Sequence, residues 1–246
     1  MKKIAYILVI PIILLLTSCS DEGNGFVRLN FQYKWGVDTV LFNSNKEYQT
    51  IDNILVSSDN VEFFISEIKL YSSKRTVSFK PEIVYFSLDS VYSSKLFTWS
   101  VMEGTYNKLE FVFGIPIAKN TSNSFVRSPE KDMFWPDVIG GGYHFLKFDG
   151  KWRNNTSEEL KPFNIHIGNY FDTIVHEQSF SIYLDINAKI EKEVVKNINI
   201  ICDLKRWLET PYKWDFSEYP NGIMELPEAM DKIKANGRGV FTSNNL

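Results

Sequence analysis

Alternation of apolar and polar residues recurs in many short segments of this chain and limits its fold more than any other feature. In FVRLNFQYK, residues 26–34, every second residue from Val27 to Tyr33 is apolar and the residues between them are polar. The segments 106–115 (YNKLEFVFGI) and 179–187 (SFSIYLDIN) repeat this pattern. Because side chains alternate between the two faces of a strand, the pattern predicts antiparallel strands with one buried face.

Further strand candidates follow one another along the chain, separated by turn-forming segments. They are residues 61–71, 82–88, 142–148, 163–168 and 197–204. The segments between them are rich in Ser, Asn and Gly, and strands do not alternate regularly with helices. The sequence therefore predicts an all-β fold, an antiparallel β-sandwich.

One short C-terminal helix is predicted in addition to the strands. The segment LPEAMDKIKANG, residues 226–237, has Pro227 at its start and Gly237 at its end, as helices often do. Met230 and Ile233 lie three residues apart, so we expect them to pack this helix against the sandwich.

The first 18 residues have the composition of a secretory signal peptide. Lys2 and Lys3 precede the apolar run from Ile4 to Leu16, which is shorter than a membrane-spanning helix and typical of a signal-peptide core. The run leads into LTSC, which resembles the bacterial lipobox. We therefore expect removal of residues 1–18 and attachment of lipid to Cys19.

The lipid on Cys19 is the predicted contact with the membrane, since no second apolar stretch reaches spanning length. Residues 19–25, which are acidic and glycine-rich, are predicted to form a flexible tether, and residues 26–246 a single domain. Ser20, Asp21 and Glu22 resemble the acidic export signal of surface lipoproteins in Bacteroidetes. We expect a lipoprotein of the cell envelope, in the outer membrane, that faces either the periplasm or the outside.

Charge and cysteine content exclude several classes of function. The formal net charge is −3 and becomes more negative when Lys2 and Lys3 are removed, which argues against a nucleic-acid partner. With Cys19 lipidated, Cys202 is the remaining thiol, so neither a disulfide scaffold nor a cysteine-based metal cluster is expected.

Motifs of catalysis are missing from the sequence. The run from Gly140 to Gly142 lacks the Lys-Ser/Thr pair and the following helix of a phosphate-binding loop, and the residues after it alternate like a strand. There is also no Gly-x-Ser-x-Gly motif of a hydrolase. We therefore predict that the protein is not an enzyme.

A metal site would have to use the few soft or nitrogen donors of the chain. His144 shares a predicted strand face with apolar residues, where a hydrogen-bonded core histidine is the commoner arrangement, whereas His166 lies on the face opposite Ile165 and Ile167. The third histidine, His176, falls in a predicted loop. Met133 offers a thioether suited to Cu(I).

Several segments taken together resemble the MbnP-like proteins of bacteria, which are named for a copper-binding partner in methanobactin operons. The matching segments, in the family's order, are residues 63–71 (FFISEIKLY), 104–116 (GTYNKLEFVFGIP), 133–135 (MFW), 142–150 (GYHFLKFDG), 166–168 (HIG), 223–224 (IM) and 235–236 (AN). The resemblance covers nearly all of the predicted mature chain.

The resemblance implies a β-sandwich that handles copper in the cell envelope. In copper-binding members a partner di-haem enzyme oxidises a tryptophan to kynurenine, which joins histidines at the metal; the resemblance does not assign that tryptophan among the six here. Of the copper ligands that the resemblance implies, His166 is retained; His144 is an additional candidate in this chain, with Met133 or Trp135 as a further ligand. Asp137 stands where the family has a second tryptophan.

Asn221 stands where the family often has a histidine. Because these residues depart from the family's pattern, the sequence is compatible with two functions. One is a non-catalytic lipoprotein that binds copper and meets a di-haem oxidase or another envelope partner. The other is a surface-exposed lipoprotein that binds a glycan or a partner protein and no metal.

Overall fold

Two β-sheets face each other around a core of aromatic and aliphatic side chains, so the predicted all-β sandwich is confirmed. The structure, a computed structural model, describes residues 23–42, 44–89 and 97–244. The predicted signal peptide and Cys19 lie outside these residues. No helix in the described ranges is long and apolar enough to cross a membrane.

The described residues form fifteen strands and two α-helices, numbered in chain order. The strands are β1 (Asn24–Trp35), β2 (Asp38–Thr39), β3 (Tyr48–Gln49), β4 (Leu55–Tyr71), β5 (Thr76–Ser78), β6 (Ile83–Ser87), β7 (Trp99–Met102), β8 (Gly104–Phe113), β9 (Leu146–Arg153), β10 (Lys161–Ile167), β11 (Tyr170–Phe171), β12 (Val175–His176), β13 (Phe180–Ile190), β14 (Val195–Asp203) and β15 (Phe241–Ser243). The helices are α1 (Leu204–Glu209) and α2 (Pro227–Gly237), and three 3-10 turns cover Ile117–Lys119, Glu130–Met133 and Asp137–Ile139.

The first sheet has the strand order β15-β14-β1-β2, with β7 also paired to β1. Its central pair, β1 and β14, is parallel, from Phe26 opposite Val195 to Lys34 opposite Asp203. The alternation of residues predicted antiparallel strands throughout. A parallel pair is allowed here because β1 and β14 lie far apart in sequence, so no tight hairpin fixes their direction.

The second sheet has the order β10-β9-β4-β8-β13 and is built around the 17-residue strand β4. Along one edge of β4, β9 pairs with residues 55–63 and β8 pairs with residues 65–71. Where the partner of β4 changes from β9 to β8, the N–H of Phe64 donates to the carbonyl of Phe145. The carbonyl of Phe64 accepts from the N–H of Gly114. The segments 114–145 and 168–179 therefore both leave the sheet near its middle.

Phenylalanine rings join the two sheets across the core. Phe31 of β1 and Phe241 of β15 meet Phe63 of β4 with ring centroids 5.3 and 5.8 Å apart, and Phe241 also contacts Phe111 and Phe113 of β8. Aromatic pairs that meet edge-on or offset stabilise a core by more than the burial of their apolar area. This cluster fixes the position of one sheet relative to the other.

Several elements differ from the prediction. The strand predicted from residue 142 begins at Leu146, because Tyr143, His144 and Phe145 are all buried and no longer alternate. Strand β1 begins at Asn24, so two residues predicted to lie in the tether pair with β7 instead. Helix α1 was not predicted; its six residues are too few to show a periodic pattern, although Asp203 caps it by accepting from the N–H of Lys205.

The predicted C-terminal helix is confirmed as α2. Met230 and Ile233 are fully buried, as expected from their spacing. Asn236, near the end of the helix, is also buried and bonds to the backbone of α1 and of the segment after it. The helix therefore packs against the sandwich and holds α1 at the same time.

Candidate metal site

The candidate site lies where β4 changes partner. His166 projects from β10 on the face opposite the buried Phe163, Ile165 and Ile167, as its place in the sequence predicted. His144 lies two residues before β9 begins. The two imidazole rings meet nearly at right angles, with centroids 5.1 Å apart.

His144 is held at one ring nitrogen and free at the other. Its Nδ1 lies 3.0 Å from the carbonyl oxygen of Met133, which also accepts the backbone N–H of His144. Because a carbonyl oxygen can only accept, Nδ1 carries the proton and donates, and Nε2 keeps its lone pair. The ring is 6% exposed, and Nε2 has no hydrogen-bond partner although it is buried.

The surroundings of His144 favour the neutral ring. Burial, then the neighbouring His166 and Lys147, lower the pKa of His144 to about 3. A histidine must be neutral to bind a metal ion, so His144 is in the ligating form at neutral pH without further change.

His166 is oriented by Asp149 of β9, the strand next to β10. The Nε2 of His166 lies 2.8 Å from Oδ1 of Asp149 and donates to it, which leaves Nδ1 with its lone pair. With its amide nitrogen turned toward Asp149, Asn164 donates to the same oxygen at 2.9 Å. Each histidine of the pair thus has one nitrogen held by an oxygen, the arrangement that orients metal-binding imidazoles.

Trp135 packs against His144 and is completely buried. Its ring meets the imidazole edge-on with centroids 4.8 Å apart, and its Nε1 donates to the carbonyl of Ile139 at 3.4 Å. The indole also lies flat against Gly168, where an added Cβ would be 2.5 Å from Cδ2. The Gly of the His-Ile-Gly segment is therefore required for Trp135 to reach His144.

The glycines 140–142 serve to turn the chain. All three have positive φ, and a Cβ at Gly142 would overlap the side-chain amide of Asn120. Asn120 in turn accepts the N–H of Tyr143 at 3.0 Å. The run directs the chain from Trp135 back to His144, and no helix follows it that could hold a phosphate.

A surface cavity of about 620 Å³ opens beside His166. Asn164 and His166 form one wall, and the segment 221–226 before α2 forms the other. Met224 of that segment is half-buried. The sequence singled out 223–224 only as a family landmark, and nothing in the alternation pattern signals that it crosses the outer face of β10.

Of the four predicted metal ligands, the structure brings His144, His166 and Trp135 together. Met133 lies next to them, but it is 1% exposed and contributes its carbonyl oxygen to His144. The third histidine, His176, lies on β12, 3.4 Å from a carboxylate oxygen of Asp172. Within the described ranges, no three His, Cys, Asp or Glu side chains form a group able to hold a metal ion.

The sequence did not identify Asp149 as a site residue. Its signal is the alternation of β9, in which Lys147, Asp149 and Lys151 share the less buried face. The register of β9 against β10 places Asp149 opposite Asn164, two residues from the partner of His166. Such a diagonal neighbour could be found only once the register is known.

Fold and site together define a class: a β-sandwich with a paired, oriented set of imidazoles beside a buried tryptophan. A sequence profile of the MbnP family matches residues 24–225. The chain belongs to the MbnP family.

Structural comparison agrees with this assignment. The fold is similar to that of MbnP from Methylosinus trichosporium, with a TM-score of 0.55 and 14% sequence identity over 77% of this chain and 79% of that one. Among curated proteins, none matches the sequence.

Proposed function

We propose that this protein is a non-catalytic, lipid-anchored protein of the cell envelope that binds copper at His144 and His166. The observation that carries the proposal is the buried Nε2 of His144, which has no hydrogen-bond partner while Nδ1 is engaged by Met133. A buried polar atom without a partner is costly, and a bound metal ion would satisfy it.

The chemistry of the donors supports copper. Imidazole is a good ligand for copper, and both rings are oriented by oxygen atoms at the nitrogen that would not bind the metal. Metal bonds of roughly 2 Å from two imidazoles to one ion are compatible with ring centroids 5.1 Å apart. The link of the MbnP family with copper supports the same ion.

Copper binding is tested by equilibrating the purified protein with Cu(I) in the presence of a competing chelator. We expect one ion per chain in the native protein and strongly weakened binding in His144→Ala and His166→Ala. His176→Ala is the matched control, because this third histidine, on β12, contacts Asp172 and forms no metal-holding group with the pair among the described residues. A stoichiometry near zero, or unchanged binding in His166→Ala, would contradict the proposal.

The anchor is tested separately from the metal. Cleavage before Cys19 and lipidation of its thiol should place the protein in the membrane fraction of the producing cells. We expect Cys19→Ser to release it into the soluble fraction, whereas Cys202→Ser should leave it membrane-bound. Retention of the Cys19→Ser protein in membranes would rule out the lipid anchor.

A di-haem oxidase as partner belongs to the same proposal. Trp135 is the tryptophan in ring contact with a histidine of the pair, so oxidation should be sought there first. Peptide mass mapping of protein from the native cells is the measurement. If copper fails to bind in every test, the remaining function is that of a surface lipoprotein for glycans or a partner protein.

A further inference from the structure

The first described residue, Gly23, is held against the domain at one end of the sandwich. Its carbonyl accepts the N–H of Glu103. The side-chain carbons of Lys192 lie against Gly23, where an added Cβ would be 2.5 Å from Cγ and Cδ. Cys19 is four residues before Gly23, so the two Cα atoms are at most about 14 Å apart. A lipid on Cys19 would therefore keep this end of the domain close to the bilayer.

Three connections between strands meet at this end, and together we call them the tether-end surface. They are residues 72–75 between β4 and β5, 102–105 between β7 and β8, and 189–196 between β13 and β14. Residues of all three line one shallow depression of about 570 Å³. The three connections therefore form one continuous surface beside Gly23.

Basic side chains predominate on the tether-end surface. The whole chain has a formal net charge of −3, whereas this surface has five basic and three acidic side chains. The basic ones are Lys74, Arg75, Lys189, Lys192 and Lys196, and the acidic ones are Glu103, Glu191 and Glu193. Lysine and arginine side chains beside a bilayer are attracted to its anionic headgroups.

Two valines add an apolar part to this surface. Val194 and Val195, at the end of the connection between β13 and β14, are 49% and 43% exposed. The carbonyl of Val194 accepts the N–H of Phe26, which holds the valine backbone beside β1. Apolar side chains surrounded by lysines are typical of surfaces that bind at a membrane interface, because the apolar groups enter it while the charged ends reach the headgroups.

We infer that the tether-end surface docks on the bilayer that holds the Cys19 lipid. Its lysines contact anionic phospholipid headgroups, and Val194 and Val195 lie in the headgroup region. The inference rests on the lipid anchor of the proposed function and adds an orientation to it. Strands β1 and β4 then extend from the membrane into the aqueous compartment.

This orientation sets the height of the candidate metal site above the membrane. β4 ends beside the tether-end surface at Tyr71. Nine residues earlier along β4, Glu62 lies opposite Lys147, which in turn pairs with His166. At about 3.3 Å per residue, His166 is up to about 30 Å from the tether-end surface. A partner of the metal site therefore approaches it from the aqueous compartment and not from within the bilayer.

The inference is tested with the full-length protein, purified with its lipid and reconstituted into phosphatidylcholine vesicles that contain phosphatidylglycerol. A fluorophore is attached through Val194→Cys or, as the matched control, through Val37→Cys, an exposed valine just beyond the opposite end of β1. Cys202 is buried and should not react. Nitroxide-labelled phospholipids quench a fluorophore that lies at the bilayer, and mass spectrometry of the same sample shows whether Cys19 carries lipid.

We expect quenching at position 194 to be at least about twofold stronger than at position 37, and to weaken at high salt. The double change Lys74→Gln and Lys192→Gln should reduce it, whereas Lys46→Gln, which changes a lysine paired with Asp38 of β2, should not.

Two results would overturn the docking surface and leave the lipid anchor intact. One is equal quenching at positions 194 and 37 in vesicles that retain the lipidated protein. The other is unchanged quenching at position 194 in the double lysine variant. If Cys19 carries no lipid, both the inference and the anchor of the proposed function are wrong.

Discussion

At the scale of single residues, the site depends on how each imidazole is oriented. His144 and His166 each give one nitrogen to an oxygen acceptor, Met133 in one case and Asp149 in the other. The sequence predicted that His166 faces away from Ile165 and Ile167, because that follows from alternation alone. It could not predict the acceptors, since both come from other segments of the chain.

The pH at which His144 becomes protonated should show that its ring is buried. The pKa of this ring is lowered to about 3 in the folded protein, against an ordinary value of 6.5. Between these two pH values the unfolded chain binds a proton at this site and the folded chain does not, so the free energy of unfolding should decrease as the pH falls through this window. NMR of the metal-free protein should show the ring still neutral at pH 5.

A midpoint near pH 6.5 for the same resonance would contradict the buried, desolvated position of His144. Replacing His144 by Gln should remove this residue's part of the pH dependence. Urea unfolding of both proteins at pH 7 and pH 5 measures the difference.

The contact between Gly168 and Trp135 can be tested by adding one methyl group. Gly168→Ala would place Cβ 2.5 Å from Cδ2 of Trp135, so the indole or the backbone at residue 168 must move. We expect a loss of about 1–3 kcal/mol in the free energy of unfolding, typical of overpacking in a core. Gly239→Ala is the control, because the nearest atom to its Cβ is a flexible arginine nitrogen at 3.4 Å.

At the scale of elements, α2 joins parts of the chain that the sequence presents as separate. Asn236 donates to the carbonyls of Trp207 and Tyr212 and accepts the N–H of Tyr212, each at 2.8 Å. This side chain therefore connects α2 to α1 and to the segment that leads toward the cavity wall. The Ala-Asn ending of the helix, noted in the sequence as a family landmark, has this structural reason.

Replacing Asn236 should weaken the contact between α1 and α2. Asn236→Ala leaves two backbone carbonyls and one N–H without their partner, so we expect a loss of about 3 kcal/mol in the free energy of unfolding. Glu228→Gln, an exposed change in the same helix, should leave stability nearly unchanged. Denaturant unfolding followed by circular dichroism compares the two, and equal midpoints would contradict the role given to Asn236.

At the scale of the whole molecule, the two sheets share one core. Phe63 contacts rings from both sheets, among them Phe31, Phe113 and Phe241. Since these contacts cross from sheet to sheet, the sheets should unfold together. The positions of the site segments depend on this shared core, because β4 supports both β8 and β9.

Replacing Phe63 by Ala tests whether the two sheets unfold together. Phe63→Ala should lower the free energy of unfolding by about 3–5 kcal/mol, the cost of a large cavity in a core. Tryptophan fluorescence and circular dichroism should report the same lowered midpoint in denaturant. Tyr183→Ala, an exposed change on β13, is the control; separate midpoints for the two signals in Phe63→Ala would show that the sheets unfold independently.

The sequence by itself determined the longer strands, the C-terminal helix and the family, because alternation and short motifs are local properties. Seven short strands, β2, β3, β5, β7, β11, β12 and β15, have too few residues to show the pattern. In β13 the buried and less buried residues alternate without interruption from Phe180 to Ile190, as the sequence indicated. Only the tertiary structure decided the parallel pairing of β1 with β14, the meeting of His144 with His166, and the place of Met224 opposite β10. These depend on contacts between residues distant in the chain. Alternation shows which face of a strand a side chain lies on, but it does not show which other segment packs against that face.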